Sequence, residues 1–329
     1  MNWEQRISGR VAPGAPLEDA LRALLAQQRA TWPLLREGEA ALAAAATRRI
    51  DVTGGHVTLQ ANAARKTSTS AKVDPASVAQ RPCFLCAAQL PAEERGVAFG
   101  DDYIAFTNPF PILPGHLSVV ARAHQPQAIA GRVLDLLRLS QSLGPHWIAL
   151  YNGPRCGASA PDHLHFQAGQ IAALPIEIDF DVGARADPSL PAFAVTIVEN
   201  EALGRRALRF RGRNHAELAA EIEGAIAQLR RFNGDQDEPL LNLVVRSDDD
   251  GATALLFPRS RHRPRQFFAS GDEHILVSPG ALDMAGLVVV AEPSHLGRIN
   301  AAVLRDIFDQ VTLDQARFEQ LVAALWNLA

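Results

Sequence analysis

The sequence predicts an α+β protein made of two similar halves in one chain, each an antiparallel sheet with helices on its outer face. Two observations carry this. In residues 96–170, strand patterns, a helix and two more strand patterns follow one another, an order that suits an antiparallel sheet with helices to one side. A second run of strand hairpins around one long amphipathic helix recurs after residue 190, so the second half echoes the first. Residue identity between the halves is too low to name a repeat. The Pro188–Pro191 stretch is the expected seam, which divides the chain into a helical lead-in (1–50), an N-terminal half (51–187) and a C-terminal half (188–329).

The lead-in is rich in Ala, Leu, Arg and Glu. Leu17, Leu21, Leu24 and Leu25 recur at helical spacing, as do Leu34, Leu35 and Leu42, and Pro33 separates two helices. Val52 to Leu59 alternates as a strand. The polar loop after it brings Arg65 and Lys66 among small hydroxyl residues, cations suited to phosphate oxygens. Cys83-Phe84-Leu85-Cys86 makes a short knuckle. Val97–Phe99 and Tyr103–Thr107 flank Gly100-Asp101-Asp102 as a hairpin, Leu117–Ala121 is a strand, and Val133–Leu143 is a helix closed by Gly144-Pro145. The apolar run Trp147–Tyr151 then ends in Asn152-Gly153.

In the second half, Phe193–Val198 and Ala207–Arg211 read as strands, and Ala216–Phe232 as a helix ending at Asn233-Gly234. Leu240–Val245 and Ala252–Phe257 flank a turn-forming Ser247–Gly251. His274–Ser278 and Gly286–Ala291 are further strands, with closing helices at Ala301–Phe308 and Leu313–Leu328.

The 329 residues are 47% apolar with a formal charge of −4, a balance that argues against a general polyanion binder and so against nucleic acid. No apolar stretch reaches the roughly 18 residues that span a bilayer, and the N-terminus lacks a secretory pattern, so a cytoplasmic protein without a membrane partner is expected. Three cysteines do not make a disulfide framework.

The chemistry concentrates between Asn152 and Gln170. As a strand, His163-Leu164-His165-Phe166-Gln167 places His163, His165 and Gln167 on one face and sends Leu164 and Phe166 into a core. A nucleophile for an α-phosphorus must be neutral and basic. Imidazole meets this near pH 7, the more so when its other nitrogen donates to a carbonyl. The small-residue loop Gly157-Ala158-Ser159 offers amide N–H groups and a hydroxyl to a leaving phosphate, and Arg155 adds charge. Cys83 and Cys86 with two histidines make a closed tetrahedral zinc site of the structural kind; His163 supplies one imidazole, and His124, past the end of its strand, is favoured over His116 for the other. Cys156 reads as a small buried loop residue. In Pro258–Arg265, Arg259 and Arg261 follow a strand and are placed to grip a substrate phosphate.

Together, Cys83-x-x-Cys86, Pro114-Gly115-His116 running to His124, and Asn152…Gly157-Ala158-Ser159…His163-x-His165-x-Gln167 resemble the histidine-triad superfamily, and within it the nucleotidylyltransferase branch. That branch includes galactose-1-phosphate uridylyltransferase, diadenosine tetraphosphate phosphorylase and GDP-galactose phosphorylase. The likeness covers residues 80–170, with a weaker one at 242–245 and 278–290. It implies two histidine-triad-like halves and a ping-pong transfer through a nucleotidyl-His165 intermediate. The substrate would be a nucleotide sugar or dinucleoside polyphosphate, and the acceptor inorganic phosphate or a sugar phosphate. It implies that Gln167 favours transfer over hydrolysis, that Asn152 and Ser159 contact phosphates, and that Cys83, Cys86, His124 and His163 hold zinc. Leu164 departs from the proline of the uridylyltransferase motif. The other readings of the same residues are a nucleotide hydrolase and a non-catalytic nucleotide sensor. A monomer or a homodimer is compatible with two fused halves.

Overall fold

The computed structural model describes residues 1–329 except 54, 172–173, 176–195, 201, 236 and 327–329. The expected seam and the start of the expected strand Phe193–Val198 lie outside the described residues. Its thirteen described strands are β1 (Ile7–Val11), β2 (Thr47–Val52), β3 (Gly55–Ala61), β4 (Gly96–Phe99), β5 (Tyr103–Thr107), β6 (Leu117–Ala121), β7 (Trp147–Asn152), β8 (His165–Gln170), β9 (Thr196–Asn200), β10 (Arg205–Gly212), β11 (Leu241–Asp248), β12 (Gly251–Pro258) and β13 (Leu287–Val290). The longer helices are α1 (Glu18–Thr31), α2 (Pro33–Ala43), α3 (Val133–Leu143), α4 (His215–Asn233), α5 (Ala301–Val311) and α6 (Gln315–Trp326).

Ten strands form one sheet in the order β1-β4-β5-β6-β8-β7-β11-β12-β10-β9. Every pairing is antiparallel except β1 with β4. The order is palindromic about the β7–β11 junction. On one side β5, β6, α3, β7 and β8 succeed one another; on the other β9, β10, α4, β11 and β12 do the same. The two units therefore meet edge to edge and close each other's exposed strand. They differ where it matters for chemistry. β7 and β8 are joined by the long Gly153–Leu164 loop, whereas β11 and β12 are joined by the two residues Asp249-Asp250.

Residues of alternate phase on β4 to β8 and β10 to β12, with Leu164 just before β8, bury against α1, α3, α4 and α6, among them Ala149, Tyr151, Phe166, Leu243 and Leu256. The opposite face, with Ile148, Leu150, Val244 and Leu255, packs against the small sheet β13-β3-β2 and α5. Phe166 is 1% exposed, with the rings of Tyr103 and Tyr151 at 5.4 and 6.3 Å between centroids. Phe166→Ala is expected to cost about 3–5 kcal/mol in chemical denaturation, from the lost area and the cavity left behind.

Helix limits follow local chemistry. Trp32 adopts extended backbone before Pro33, which breaks α1 from α2. Asn214 caps α4 by accepting from the amides of Ala216 and Glu217, and Gly234, at φ 70°, ends it.

Three expectations change. The first fifty residues are not only helical, because Ile7–Val11 is a strand at the sheet edge. Val52 to Leu59 is not one strand: β2 ends at Val52 and pairs antiparallel with β3, which begins at Gly55. His274–Ser278 joins no ladder, and its three central residues, Ile275, Leu276 and Val277, are all buried. The amide of Ile275 donates to the Gln266 carbonyl and that of Leu276 to His295 Nδ1, so side chain and loop replace a partner strand.

Candidate active site

The sheet face that packs against the small sheet and α5 carries the site, at the β7–β11 junction. Asn152, His165 and Gln167 have the phase opposite to the helix-packed Tyr151 and Phe166. β7 pairs Leu150 with Gln167, and that register, continued by two residues, sets Asn152 opposite His165. β8 begins at His165, so His163 stands at the strand's entrance, outside it.

His165 is 5% exposed. Its Nδ1 lies 2.8 Å from the His163 carbonyl. A carbonyl only accepts, so Nδ1 carries the hydrogen and the lone pair is on Nε2, which has no hydrogen bond among the described residues. Burial pushes the imidazole down to about 4, so the ring is neutral at pH 7. Gln127, which sequence reasoning missed, fixes the backbone on both sides. Its Oε1 accepts from the His165 amide at 2.8 Å, and its Nε2 donates to the carbonyls of Asn152 (2.9 Å) and His165 (3.0 Å).

Gln167 is oriented by His116. The Ile112 amide donates to His116 Nδ1 at 3.0 Å, which leaves the hydrogen of the neutral ring on Nε2. That group donates to Gln167 Oε1 at 2.9 Å, so the glutamine's NH₂ is its free end. Burial, with the charge of Arg65, holds His116 at about 3.

A cleft of about 620 Å³, counting the open solvent at its mouth, runs over this face; Asn152 and Gln167 line it, whereas His165 and Ser159 are not among its lining residues. The first half contributes Arg65, Ser68, Asn152, Gly157, Ala158 and Gln167; the second half contributes His262, Arg263, Ser278, Gly280 and Asp283. The amides of Gly157 and Ser159 carry no hydrogen bond among the described residues, and neither does the half-buried Ser159 hydroxyl. Gly157 has φ 102°, and a Cβ there would meet Gly280 Cα at 2.8 Å. Gly157→Ala is expected to cost about 1–3 kcal/mol by thermal denaturation, and to weaken phosphate binding by pushing the two loops apart.

The expected cations divide. Arg65 lines the cleft and donates to the Phe110 carbonyl at 3.2 Å. Lys66 pairs with Glu292 at 3.0 Å, and Arg155 turns to Asp235 (3.7 Å) and the Glu238 carbonyl (3.2 Å); neither lines the cleft. Arg261 is exposed and also outside it, while Arg259 lies fully buried beneath the floor. The neighbouring Arg263 lines the cleft instead, clasping the carbonyls of Thr69 and Ala71 at 2.9 Å each. Nothing in the run of arginines separates these roles, since they depend on how the chain leaves β12.

Cys83, Cys86, His124 and His163 place their ligand atoms within 4.8 Å of one another, a set that can hold a metal ion. Sγ of Cys83 is 3.3 Å and Sγ of Cys86 3.6 Å from His163 Nδ1; His124 Nδ1 is 3.4 Å from both Cys86 Sγ and His163 Nδ1. His163 Nε2 donates to the Ala121 carbonyl at 2.7 Å, which turns the Nδ1 lone pair into the cluster. His116 is engaged with Gln167 and takes no part. Buried Arg6 braces the knuckle's far side by donating to the carbonyls of Ala87, Leu90 and Pro91.

No helix among the described residues is long and apolar enough to cross a membrane. No curated protein sequence matches the chain. A family model described as a domain of unknown function (DUF4922) matches residues 24–170, which hold the knuckle, the small-residue loop and His165. Among solved structures, the yeast Ap4A phosphorylase Apa2 in complex with AMP is similar over 91% of this chain and 97% of its own, at 12% identity and a TM-score of 0.60. Another structure of that enzyme covers 86% of this chain and 98% of its own (13% identity, TM-score 0.57), and its complex with Ap4A covers 86% and 97% (13% identity, TM-score 0.55). The chain thus has the fold of that phosphorylase, along nearly its whole length.

Proposed function

We propose that the protein is a nucleotidylyltransferase of the phosphorylase type, acting on a dinucleoside polyphosphate or a nucleoside diphosphate sugar. The observation that carries this is the neutral His165 ring, with Nδ1 tied to a carbonyl and Nε2 without a hydrogen bond among the described residues, on the same sheet face as Asn152 and Gln167, whose side chains line the cleft. The likeness to an enzyme solved with AMP and Ap4A supports a nucleotide in that cleft.

In the first step Nε2 of His165 attacks the α-phosphorus. An N–P bond forms, the bridging P–O bond breaks, and the leaving phosphate keeps the electron pair beside the amides of Gly157 and Ser159. The NH₂ groups of Gln167 and Asn152 donate to the non-bridging oxygens as charge builds on them. In the second step an oxygen of inorganic phosphate or a sugar phosphate attacks the same phosphorus, and the N–P bond breaks to restore neutral His165.

The Cys83–Cys86–His124–His163 set fits zinc. Tetrahedral zinc with ordinary bond lengths sets nitrogens about 3.3 Å apart and nitrogen from sulfur about 3.6 Å, close to the separations described above. Two cysteines and two histidines close the coordination sphere, so bound zinc would brace the fold rather than touch substrate.

The test is a rapid mix of protein with Ap4A, other dinucleoside polyphosphates and nucleotide sugars, followed by intact-mass analysis. A nucleoside monophosphate adduct that disappears on adding phosphate or a sugar phosphate supports the proposal. Absence of any adduct across the panel removes it, and product without an acceptor would make the protein a hydrolase.

A further inference from the structure

Arg259 is fully buried, and all its donors are used. Nε donates to the Val311 carbonyl at 2.9 Å, Nη2 to those of Arg261 and His262 at 3.3 Å each, and Nη1 to Pro279 O at 2.9 Å and to Asn242 Oδ1. A guanidinium only donates, so it dictates that the oxygen of Asn242 faces it. The Asn242 amide nitrogen must then point the other way, and it donates to Asn152 Oδ1 at 2.9 Å and Cys156 O at 2.7 Å. The Ala281 backbone amide reaches the same Asn152 oxygen at 2.7 Å. A backbone N–H cannot accept, so two donors pin that oxygen and the Asn152 NH₂ is left for the cleft that Asn152 lines.

The geometry comes from the register. Asn242 on β11 pairs directly with Asn152 on β7, so both side chains stand on one face where the two units meet. A residue of the second unit thereby sets a group of the first.

We propose that Arg259 and Asn242 are positioning residues which fix the orientation of the Asn152 carboxamide, so that its N–H donors, not its oxygen, meet a phosphoryl group in the cleft. The identity of that anion rests on the transfer reading above; the orientation itself does not. With the carboxamide turned over, an oxygen would face the phosphate and the Ala281 amide would lose its acceptor.

Inorganic pyrophosphate, which carries no base, is the probe, with binding measured by calorimetry on the full chain. Asn242→Asp keeps the shape and satisfies Arg259, but puts an oxygen against Asn152 Oδ1 and forces the carboxamide over. It is expected to weaken binding at least tenfold, and Asn242→Ala less than Asn242→Asp, because the Ala281 amide still holds Asn152. The deciding readout is the double-mutant cycle: in an Asn152→Ala background neither change at 242 should weaken binding further. A new negative charge acting through space, or a general loosening, would persist in that background, and such additivity would overturn the proposal. Equal losses for the two variants would overturn it too. Should Asn242→Asp fail to fold, the Asn242→Ala cycle alone decides. Wild-type adduct formation is scored separately. A missing adduct with a non-additive cycle rejects transfer and keeps the relay, and an adduct with an additive cycle does the reverse.

Discussion

His165→Ala is expected to remove the nucleotidyl adduct completely and to lower turnover by ~10³-fold or more, as happens when a covalent nucleophile is deleted. Its structural cost should be modest. The ring makes one hydrogen bond, to a carbonyl two residues away, and the surrounding backbone is held by Gln127, which the substitution leaves in place. A loss of about 1–3 kcal/mol in denaturation is expected from the emptied, nearly buried volume. The variant should therefore remain folded at 25 °C and still bind nucleotide, because Asn152, Gln167 and the Gly157 loop are untouched. A variant that keeps an adduct, carried on another side chain, would place the nucleophile elsewhere. The candidates to check by peptide mapping are then His262, which lines the same cleft from the second half, and His116. Burial lowers both to about 3, so at neutral pH both are neutral. Both ring nitrogens of His116 are already engaged, which makes it the poorer choice.

Much of this arrangement was legible in the chain. Period-two alternation through Leu164 and Phe166 fixed which residues face the helices, and thereby which face holds His165 and Gln167. The repeated order of strands and a helix gave two units. What periodicity does not carry is which strands become neighbours across the junction. Asn242 is an unremarkable polar residue at the head of Leu243-Val244-Val245 until β11 lies against β7. Arg259 reads from the sequence as a cation for a substrate phosphate, and only the path of the chain after Pro258 buries it outside the cleft instead. Gln127 sits in a loop with no signal of its own. His116 could be read as a metal ligand because its ring lies near the right segment in sequence; hydrogen bonds to Ile112 and Gln167 give it another task. The site was legible where it depends on one strand, and hidden where it depends on contacts between the two units.

Cys83→Ser is expected to lower stability by about 3–5 kcal/mol, or roughly 5–15 °C in melting temperature, and to release the bound metal. Freshly purified wild-type protein should carry one zinc per chain by elemental analysis, and substoichiometric zinc would remove the proposed cofactor. Without a cation, burial pushes the Cys83 thiol up to about 12 and three further lone-pair donors crowd the same few ångströms, so the four residues hold together poorly alone. The loss should nevertheless be mainly one of folding. The metal would reach His165 only through His163, whose ring belongs to the cluster while its carbonyl accepts from His165 Nδ1. His163 has a second anchor in the Ala121 carbonyl, and Gln127 holds the His165 backbone independently. In Cys83→Ser the adduct formed per folded molecule should therefore fall by less than tenfold, whereas His163→Ala, which removes the ring from both the cluster and Ala121, should cost more. Equal losses of adduct in the two variants, measured well below their melting points, would mean that the metal orients the nucleophile directly and that its part is catalytic positioning.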